Sequence, residues 1–490
     1  MKKTYKRFVL VLLIGVLASL GMTASQTDTG VAQTTAKPNI LFILTDDMKA
    51  SDLDHMPNTQ NLLANQGVKF TKAWVTRSLC CPSRASTLRG QYTHNHNVWV
   101  NVEPVGGFQK FYNQGLESST IATWLHAGGY ETVLIGKYLN RYGNNTPTTH
   151  VPPGWDKWYA WEGMYAGNNT SYQINENGRI VTYQRSQIHD TDLHAQTAEN
   201  FIKQTATNNT PFFMYLAPNA PHHPSYYAPR HARMFSSTPL PKPSSFNESD
   251  VSDKPKWVRD KPRLSSTQIS DMTQFYRERL RALQSVDEMV KRLVDTLSAT
   301  GELSNTYIVF TSDNGIYLGE HRLTNKAAAY NAAPRVPLLV RGPRVPAGVP
   351  RSQMALNNDL APTFASWAGV APPSFVDGRS LKPLLTSSPP ATWRSAFLIE
   401  HRSSPEEYGY VKAIPEYYAV RTDRYSYVEY PTTGETELYD LNADPTELSS
   451  LHASASHQAL ISDLKARLAQ LKQCKGTGAT QPSCEAAEGR

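Results

Sequence analysis

Cysteine is scarce in this chain, with only four in 490 residues. Two are adjacent, Cys80 and Cys81, and two stand near the end of the sequence, Cys474 and Cys484. No paired C-x-x-C motif is present, which excludes the commonest structural zinc sites. Basic runs interleaved with aromatic residues are also missing, so we do not expect a nucleic-acid partner.

Long apolar runs are equally scarce. The longest, "FVLVLLIGVLASL" at residues 8–20, follows four basic residues and precedes small and polar ones. That order is typical of a secretory signal, and the apolar part is short for a membrane span. An uncleaved N-terminal anchor is the alternative. We predict a signal peptide at 1–25, a spacer at 26–36, no stable membrane span in the rest, and an exported protein, whether periplasmic, cell-surface or extracellular.

Net charge is modest once the predicted signal peptide is set aside. The formal charge of +7 includes four positive and no negative residues within 1–25, which leaves 7 − 4 = +3. Overall charge therefore indicates little about partners, although local positive charge can still attract an anionic substrate. Export also places the cysteines in an oxidising compartment. Cys474 and Cys484 flank a short polar loop, so we predict a disulfide between them, with two free thiols as the alternative.

Apolar segments alternate with helical patterns along most of the chain. "NILFILT" reads as a strand buried on both faces, and residues 274–299 carry leucine and valine at helical spacing. This alternation predicts an α/β fold: a large domain at 37–380 whose central sheet is mostly parallel and flanked by helices. Residues 236–265, rich in Pro and Ser, read as a surface excursion that can cover the active site.

Beyond residue 380 the pattern changes to short tyrosine-rich strands and one helix. We predict a smaller C-terminal α+β subdomain with an antiparallel sheet at 381–475, followed by a tail at 476–490.

Polar side chains follow two of the predicted strands. Asp46 and Asp47 end the first strand, and Asp313 and Asn314 end a later one. Ligands of parallel α/β sheets bind beyond such strand ends, and four oxygen donors suit Ca²⁺ or Mg²⁺ better than zinc. Turn formation is the alternative use of these residues.

The adjacent cysteines precede a predicted helix in "CCPSRASTLRG". A helix start presents free N–H groups that stabilise an anion, and Arg84 adds a fixed cation. A thiolate of Cys80 would be reactive there, whereas Cys81 reads as a small buried apolar residue. A vicinal disulfide between the two is the alternative.

Several motifs together resemble the sulfatase family. "CCPSRAS" fits the sulfatase signature C-x-P-S-R, and "NILFILTDD" and "FTSDNG" are similar to the two metal-binding strand ends of that family. "GKY", "APHHP" and a lysine ahead of "RVPLLVRGP" follow in the family order. The resemblance covers residues 37–475 and looks closest to N-acetylglucosamine-6-sulfatases, within the alkaline-phosphatase-like superfamily.

The resemblance implies a modified nucleophile. A formylglycine-generating maturation enzyme would oxidise Cys80 to an aldehyde, whose hydrate attacks sulfur with one hydroxyl and expels sulfate with the other. Asp46, Asp47, Asp313 and Asn314, together with residue 80, would hold a divalent cation, Ca²⁺ or alternatively Mg²⁺. Arg84 would orient the nucleophile, Lys137 and Lys326 would neutralise sulfuryl oxygens, and His222 would protonate the leaving alkoxide.

The sequence departs from the family pattern after Lys137. Leu139 stands where many sulfatases carry a histidine, next to Asn140. We predict that Asn140, His94 and His96 contact the substrate, with a surface-loop role as the alternative for the histidines. After Lys326, Tyr330 precedes an asparagine instead of the usual glutamate.

Four aromatic residues cluster in "GWDKWYAWEG": Trp155, Trp158, Tyr159 and Trp161. They form either a sugar-stacking platform or part of the core. The resulting prediction is an exported sulfatase acting on sulfated sugars such as N-acetylglucosamine-6-sulfate. A phosphodiester or phosphonate hydrolase on the same fold, and a non-catalytic glycan-binding protein, are the alternatives.

Overall fold

A computed structural model describes Met1 and residues 37–144, 147, 149–162, 170–407, 409–476 and 482–489. Apart from Met1, the predicted signal peptide and spacer lie outside these residues. Within them, no helix combines the length and the apolarity needed to cross a membrane.

Eighteen strands are assigned among the described residues. They are β1 Asn39–Thr45, β2 Val68–Phe70, β3 Ala73–Trp74, β4 Glu131–Gly136, β5 Lys157–Glu162, β6 Ser171–Glu176, β7 Arg179–Gln184, β8 Phe212–Ala217, β9 Thr306–Ser312, β10 Tyr317–Leu318, β11 Thr324–Asn325, β12 Leu338–Arg341, β13 Val349–Arg351, β14 Ala355–Leu356, β15 Ala396–His401, β16 Tyr417–Thr422, β17 Tyr425–Tyr430 and β18 Glu435–Asp440.

Twelve α-helices accompany them, α1 continuing as a π-helical turn over Gln60–Ala64. They are α1 Pro57–Thr59, α2 Cys80–Arg89, α3 Thr93–His96, α4 Gly107–Asn113, α5 Ile121–Ala127, α6 Asp190–Asn208, α7 Lys256–Arg259, α8 Ser266–Ala299, α9 Leu360–Ala368, α10 Gly409–Lys412, α11 Gln458–Leu471 and α12 Cys484–Glu488.

The central sheet has ten strands in the order β13-β2-β12-β9-β1-β8-β4-β5-β6-β7. Its five middle strands, β9 to β5, run parallel, and antiparallel strands extend both sides. Every residue of β1 is buried, which accounts for its unbroken apolar sequence. Alternate β1 residues pack on α2, α5 and α9 on one face and on α6 and α8 on the other. The predicted α/β fold is confirmed.

The C-terminal sheet is antiparallel, in the order β15-β16-β17-β18, as predicted. Its core is continuous with the larger part of the chain, since Trp74, Leu79 and Tyr317 pack in the same cluster as Phe397 and Tyr417. Residues 37–490 accordingly form one compact unit. The change in strand pattern near residue 380 therefore marks a change of sheet type within continuous packing.

The predicted tail is packed where it is described. Cys474 and Cys484 form a disulfide. Glu488 is fully buried, accepting hydrogen bonds from Arg394 and from the Tyr92 hydroxyl. The segment around Glu488 is thereby fixed against β15 and α3.

Candidate active site

The candidate site lies at the carboxyl edge of four adjacent parallel strands, β9, β1, β8 and β4. Asp46 follows β1 and Asp313 follows β9, in a register that pairs Thr45 with Ser312. Lys137 follows β4, and the segment carrying His222 follows β8. Because carboxyl ends of parallel strands share one edge, residues far apart in sequence meet there.

Cys80 is the first residue of α2, two residues earlier than the helix start expected at Pro82. Its Sγ lies 3.5 Å from Asp46 Oδ1 and 2.8 Å from Lys326 Nζ, and the residue is 1% exposed. Cys81 packs in the core, and its N–H donates to Asn101 Oδ1 at 2.9 Å. Both thiols are free, so the structure contains no vicinal disulfide.

Arg84 joins the ends of three strands. Its Nε donates to Asp313 Oδ2 at 2.8 Å, and its Nη1 donates to the Lys137 carbonyl at 2.9 Å. Nη2 lies 3.6 Å from Asp46 Oδ2, and none of the guanidinium is exposed. A planar cation with several fixed donors holds these strand ends in place.

Two lysines and a histidine surround the same aspartates. Lys137 Nζ lies 2.5 Å from Asp46 Oδ2, and Lys326 forms an ion pair with Asp47. His222 Nε2 lies 3.7 Å from Asp47 Oδ2. Its Nδ1 donates to the His223 carbonyl at 2.5 Å, because a carbonyl can only accept. Nε2 is therefore the ring nitrogen available to a substrate.

Burial and charge together shape the ionisation of the site. Burial opposes ionisation of Asp46 and Asp47, but the neighbouring cations outweigh it and lower the pKa of each carboxyl. Burial, reinforced by the charge of Asp46, raises the pKa of Asp313 to about 6. The same two causes raise the pKa of the Cys80 thiol well above its ordinary value. An unmodified Cys80 is therefore a protonated, weak nucleophile at neutral pH.

The oxygen donors fit a hard divalent cation. Ligand atoms of Asp46, Asp47, Cys80 and His222 lie within 4.8 Å of one another. Asn314 donates through Nδ2 to Asp47 at 2.5 Å, while its buried Oδ1 has no hydrogen-bond partner among the described residues. A buried amide oxygen beside carboxylates is a suitable ligand for Ca²⁺. Both oxygens of Asp313, by contrast, already accept hydrogen bonds from Arg84 and from the Asp47 N–H.

Asn140 lines a narrow cleft that opens from the site. The cleft is also lined by Lys137, Leu139, Trp161 and Asn219. Asn140 therefore lies beside Lys137, and its substrate contact stays a prediction.

His94 and His96 use their ring nitrogens within the protein. His94 Nδ1 lies 3.1 Å from Glu400 Oε2, and its Nε2 lies 2.9 Å from the Cys474 carbonyl oxygen. His96 accepts the Val98 N–H and contacts Ser86 Oγ at 2.9 Å. With both nitrogens occupied, neither histidine offers a polar atom to a sugar. The contacts indicate structural roles, which differ from the predicted substrate contacts.

The aromatic cluster divides between core and cleft. Trp155 and Trp158 are buried in the core, where Trp158 packs edge-on against Tyr138. Trp161 is half-buried and lines the cleft beside Lys137. Of the predicted stacking platform, Trp161 is the member that faces the cleft.

Two residues near the site, Tyr410 and Glu407, were not predicted from the sequence motifs. The Tyr410 phenol, on α10, lies within electrostatic range of Lys326 and Cys80. Glu407 accepts the N–H of Asn101, the residue that holds the Cys81 N–H. Both come from the C-terminal part of the chain, in a stretch with no motif and little periodicity. No local pattern could have associated them with α2.

Comparison with known proteins agrees with this geometry. The sulfatase family profile matches residues 38–370. The chain belongs to the sulfatase family. A second profile, the C-terminal region of N-sulphoglucosamine sulphohydrolase, matches residues 319–474 of this sulfatase.

Several relatives of this sulfatase are N-acetylglucosamine-6-sulfatases. The Homo sapiens N-acetylglucosamine-6-sulfatase is 33% identical, with 93% of this chain and 87% of that protein covered. The N-acetylglucosamine-6-O-sulfatase of Bacteroides thetaiotaomicron is 29% identical over 86% of this chain and 84% of its own. The protein is a sulfuric ester hydrolase, as predicted.

A solved enzyme in complex with its substrate D-glucosamine-2-N,6-O-disulfate has a TM-score of 0.76 and 27% identity, covering 89% of this chain and 97% of that one. The phosphonate monoester hydrolase of Agrobacterium radiobacter, at 22% identity and a TM-score of 0.70 over 89% of this chain and 95% of that one, shares the fold.

Proposed function

We propose that this sulfatase is exported and hydrolyses sulfate esters of sulfated sugars, N-acetylglucosamine-6-sulfate among them, with residue 80 as formylglycine. One observation carries the proposal: Cys80 Sγ lies between Asp46 and Lys326 at the start of α2. The 33% identity to an N-acetylglucosamine-6-sulfatase supports the sugar. The similarity to extracellular sulfatases, 36% in Drosophila melanogaster over 74% of this chain and 33% of that protein, supports export.

The modification supplies what the buried thiol lacks. A hydrated aldehyde at residue 80 provides a hydroxyl nucleophile and a second hydroxyl for release of sulfate. Because Cys80 is 1% exposed, a maturation enzyme would have to reach it before folding is complete. The growth host therefore has to provide that enzyme during export.

The residues around position 80 have separate tasks. Lys326 and Lys137 place positive charge where sulfuryl oxygens gain negative charge, and burial strengthens that interaction. Arg84 holds the strand ends in register. His222 directs Nε2 into the site, from which it can donate a proton to the leaving alkoxide.

The metal would be held by Asp46, Asp47, Asp313, Asn314 and residue 80, and Ca²⁺ suits these oxygen donors best. Ligand atoms of Asp46, Asp47 and Cys80 already lie within 4.8 Å of one another, and Asn314 Oδ1 has no hydrogen-bond partner among the described residues. Asp313 can also contribute, because each carboxylate oxygen keeps a second lone pair beside the hydrogen bond that it accepts. When bound, a divalent cation polarises a sulfate oxygen and favours ionisation of the nucleophile.

Mass spectrometry of the tryptic peptide of residues 78–84, from protein secreted by its own host, tests the proposal. We expect the sulfur of Cys80 to be replaced by a carbonyl oxygen, and the protein to react with a hydrazide. Cys80→Ala should lack both signals and release no sulfate from N-acetylglucosamine-6-sulfate. Active protein with an intact Cys80 thiol would refute the formylglycine mechanism.

Substrate comparison separates the alternatives. The proposal requires aryl sulfate and sugar sulfate to be hydrolysed much faster than aryl phosphate or phosphonate esters. A preference for the phosphorus esters would favour the phosphonate hydrolase. Matured protein that binds sulfated sugars without releasing sulfate would favour the glycan-binding alternative.

A further inference from the structure

A groove distinct from the narrow cleft lies beside the candidate active site. It has a volume of about 510 Å³ and is lined by four chain segments: 49–51, 241–245, 317–335 and 445–447. Pockets of this size hold small organic ligands, and one or two sugar rings fall within the same range. None of the proposed catalytic residues or metal ligands lines it.

The groove adjoins the catalytic edge of the sheet. Lys49, on its wall, is two residues after Asp47, so their Cα atoms are at most about 8 Å apart. Tyr317 and Tyr330, also on its wall, follow closely after Asn314 and Lys326. The chain segments that leave the candidate active site therefore continue directly into the groove.

Positive charge dominates the open part of the groove. Lys242 and Arg335 are exposed on its rim. Arg335 Nη2 donates to the Thr71 carbonyl at 2.8 Å, and Lys242 Nζ lies 5.5 Å from the centre of the Phe246 ring. Neither charge is neutralised by an ion pair with a described residue. The two acidic side chains of the wall are already engaged. Glu320 pairs with Lys49, and Glu447 with Arg421.

The walls suit a carbohydrate. Pro241, Pro243 and Pro445 supply rigid apolar surface, against which the C–H faces of a sugar ring can pack. Thr446 also contributes to the wall, and its hydroxyl is hydrogen-bonded to that of Ser244 at 2.8 Å. This bond connects the surface segment 236–265, which forms one wall of the groove, to residues 445–447, which form another.

We propose that this groove binds anionic sugar units adjacent to the sulfated sugar in a longer glycan. The proposal rests on the proposed function, because it takes the substrate to be a sulfated sugar. The exposed cations Lys242 and Arg335 contact sulfate or carboxylate groups of the neighbouring units, while the reacting sulfate occupies the site at residue 80. An oligosaccharide is then a better substrate than a monosaccharide or an aryl ester.

Kinetics on substrates of different length test the groove. In the full-length matured enzyme, Lys242→Gln with Arg335→Gln removes two charges, and Lys203→Gln with Lys465→Gln is the matched control at exposed sites that do not line the groove. For a sulfated hexasaccharide of glucosamine and uronic acid, we expect the groove variant to have about tenfold lower kcat/KM, mainly through KM. Its aryl sulfate kinetics, and all kinetics of the control, should match wild type. Equal losses on both substrates, or no loss on the hexasaccharide, would overturn the proposal.

Binding without turnover separates this inference from the proposed function. In a Cys80→Ala background, calorimetric titration with the hexasaccharide should show the same loss of about tenfold in the groove variant, at low salt. A neutral hexasaccharide of N-acetylglucosamine, which carries neither sulfate nor carboxylate groups, should bind both variants equally. If the matured enzyme releases no sulfate while binding still depends on the groove residues, the proposed function fails and the groove stands. If sulfate is released and binding is identical in the two variants, the groove proposal fails alone.

Discussion

Adjacent cysteines take different roles because neighbouring helical residues point in directions about 100° apart. Cys80 contacts Asp46 and Lys326, whereas Cys81 packs in the core. Burial, with Asp46 nearby, raises the pKa of the Cys80 thiol and keeps it protonated, which is why we propose that a modification supplies the reactivity at this position. The ion pairs Lys137–Asp46 and Lys326–Asp47 are formed around the unmodified cysteine. These different surroundings are the reason that we propose residue 80, and not Cys81, as the reactive position.

The role of His222 can be tested through the leaving group. A sugar alkoxide needs a proton as it departs, whereas an activated aryl oxide does not. We expect His222→Gln to lower kcat/KM for N-acetylglucosamine-6-sulfate by about 10²–10⁴-fold, and for an aryl sulfate with an acidic phenol far less. Parallel kinetics on the two esters provide the measurement. Equal losses would mean that His222 acts by holding the site together.

At the scale of elements, the site depends on tight turns of the backbone at the ends of parallel strands. Gly136 ends β4 with φ of 100°, directly before Lys137. A Cβ there would lie 2.1 Å from the Ala217 carbonyl oxygen on β8. The close approach of β4 and β8 thus places Lys137 next to Asp46.

We expect Gly136→Ala to lower the free energy of unfolding by about 3 kcal/mol or more, from backbone strain together with the clash. Gly434→Ala is the control, because Gly434 also has positive φ but no atom lies within 4 Å of its Cβ position. That variant should lose only about 1 kcal/mol. Urea denaturation measures both. Similar losses would show that the approach to Ala217 is unimportant.

His94 links α3 to β15 through Glu400, and this contact predicts a pH dependence of stability. Burial lowers the pKa of His94, but Glu400 and the Cys474 carbonyl outweigh it and raise the pKa to about 9. The folded state therefore binds the proton more tightly than the unfolded chain, whose histidine pKa is about 6.5. The resulting stabilisation is complete below about pH 6.5 and is lost as the pH rises through about 9.

The matched variant is His94→Gln, which keeps a hydrogen-bond donor but does not titrate. We expect the free energy of unfolding of wild type, relative to this variant, to fall by about 3 kcal/mol between about pH 6 and pH 10. Urea denaturation across that range gives the difference. A constant difference would contradict a charged His94–Glu400 pair.

For the molecule as a whole, the C-terminal sheet shares a core with segments of the larger part of the chain. Trp74 and Tyr317, from the larger part, pack in the same cluster as Phe397 and Tyr417 of the C-terminal sheet. The C-terminal sheet cannot lose that packing without exposing the apolar side chains of these segments as well as its own. The C-terminal segment adds a further tie, since Glu488 is buried against Arg394 and Tyr92.

This shared core predicts a single unfolding transition for residues 37–490. Near-ultraviolet circular dichroism, tryptophan fluorescence and sulfatase activity should be lost together in urea. A chain ending at residue 380 should fail to fold, because it would expose the cluster that contains Trp74. Two separate transitions, or a folded truncated chain, would contradict the prediction.

Sequence and tertiary structure determine different parts of this protein. The sequence alone determined the buried strands, the helix at Cys80 and the oxygen donors at strand ends, because burial and helix starts leave local patterns of spacing. Only the tertiary structure decided that His94 and His96 serve packing, that Tyr410 approaches Lys326, and that a basic groove adjoins the site. The contact that fixes His94 joins segments far apart in the sequence, since Glu400 is 306 positions away. Local patterns carry no information about which distant segments meet, since that depends on how the sheets and helices pack together.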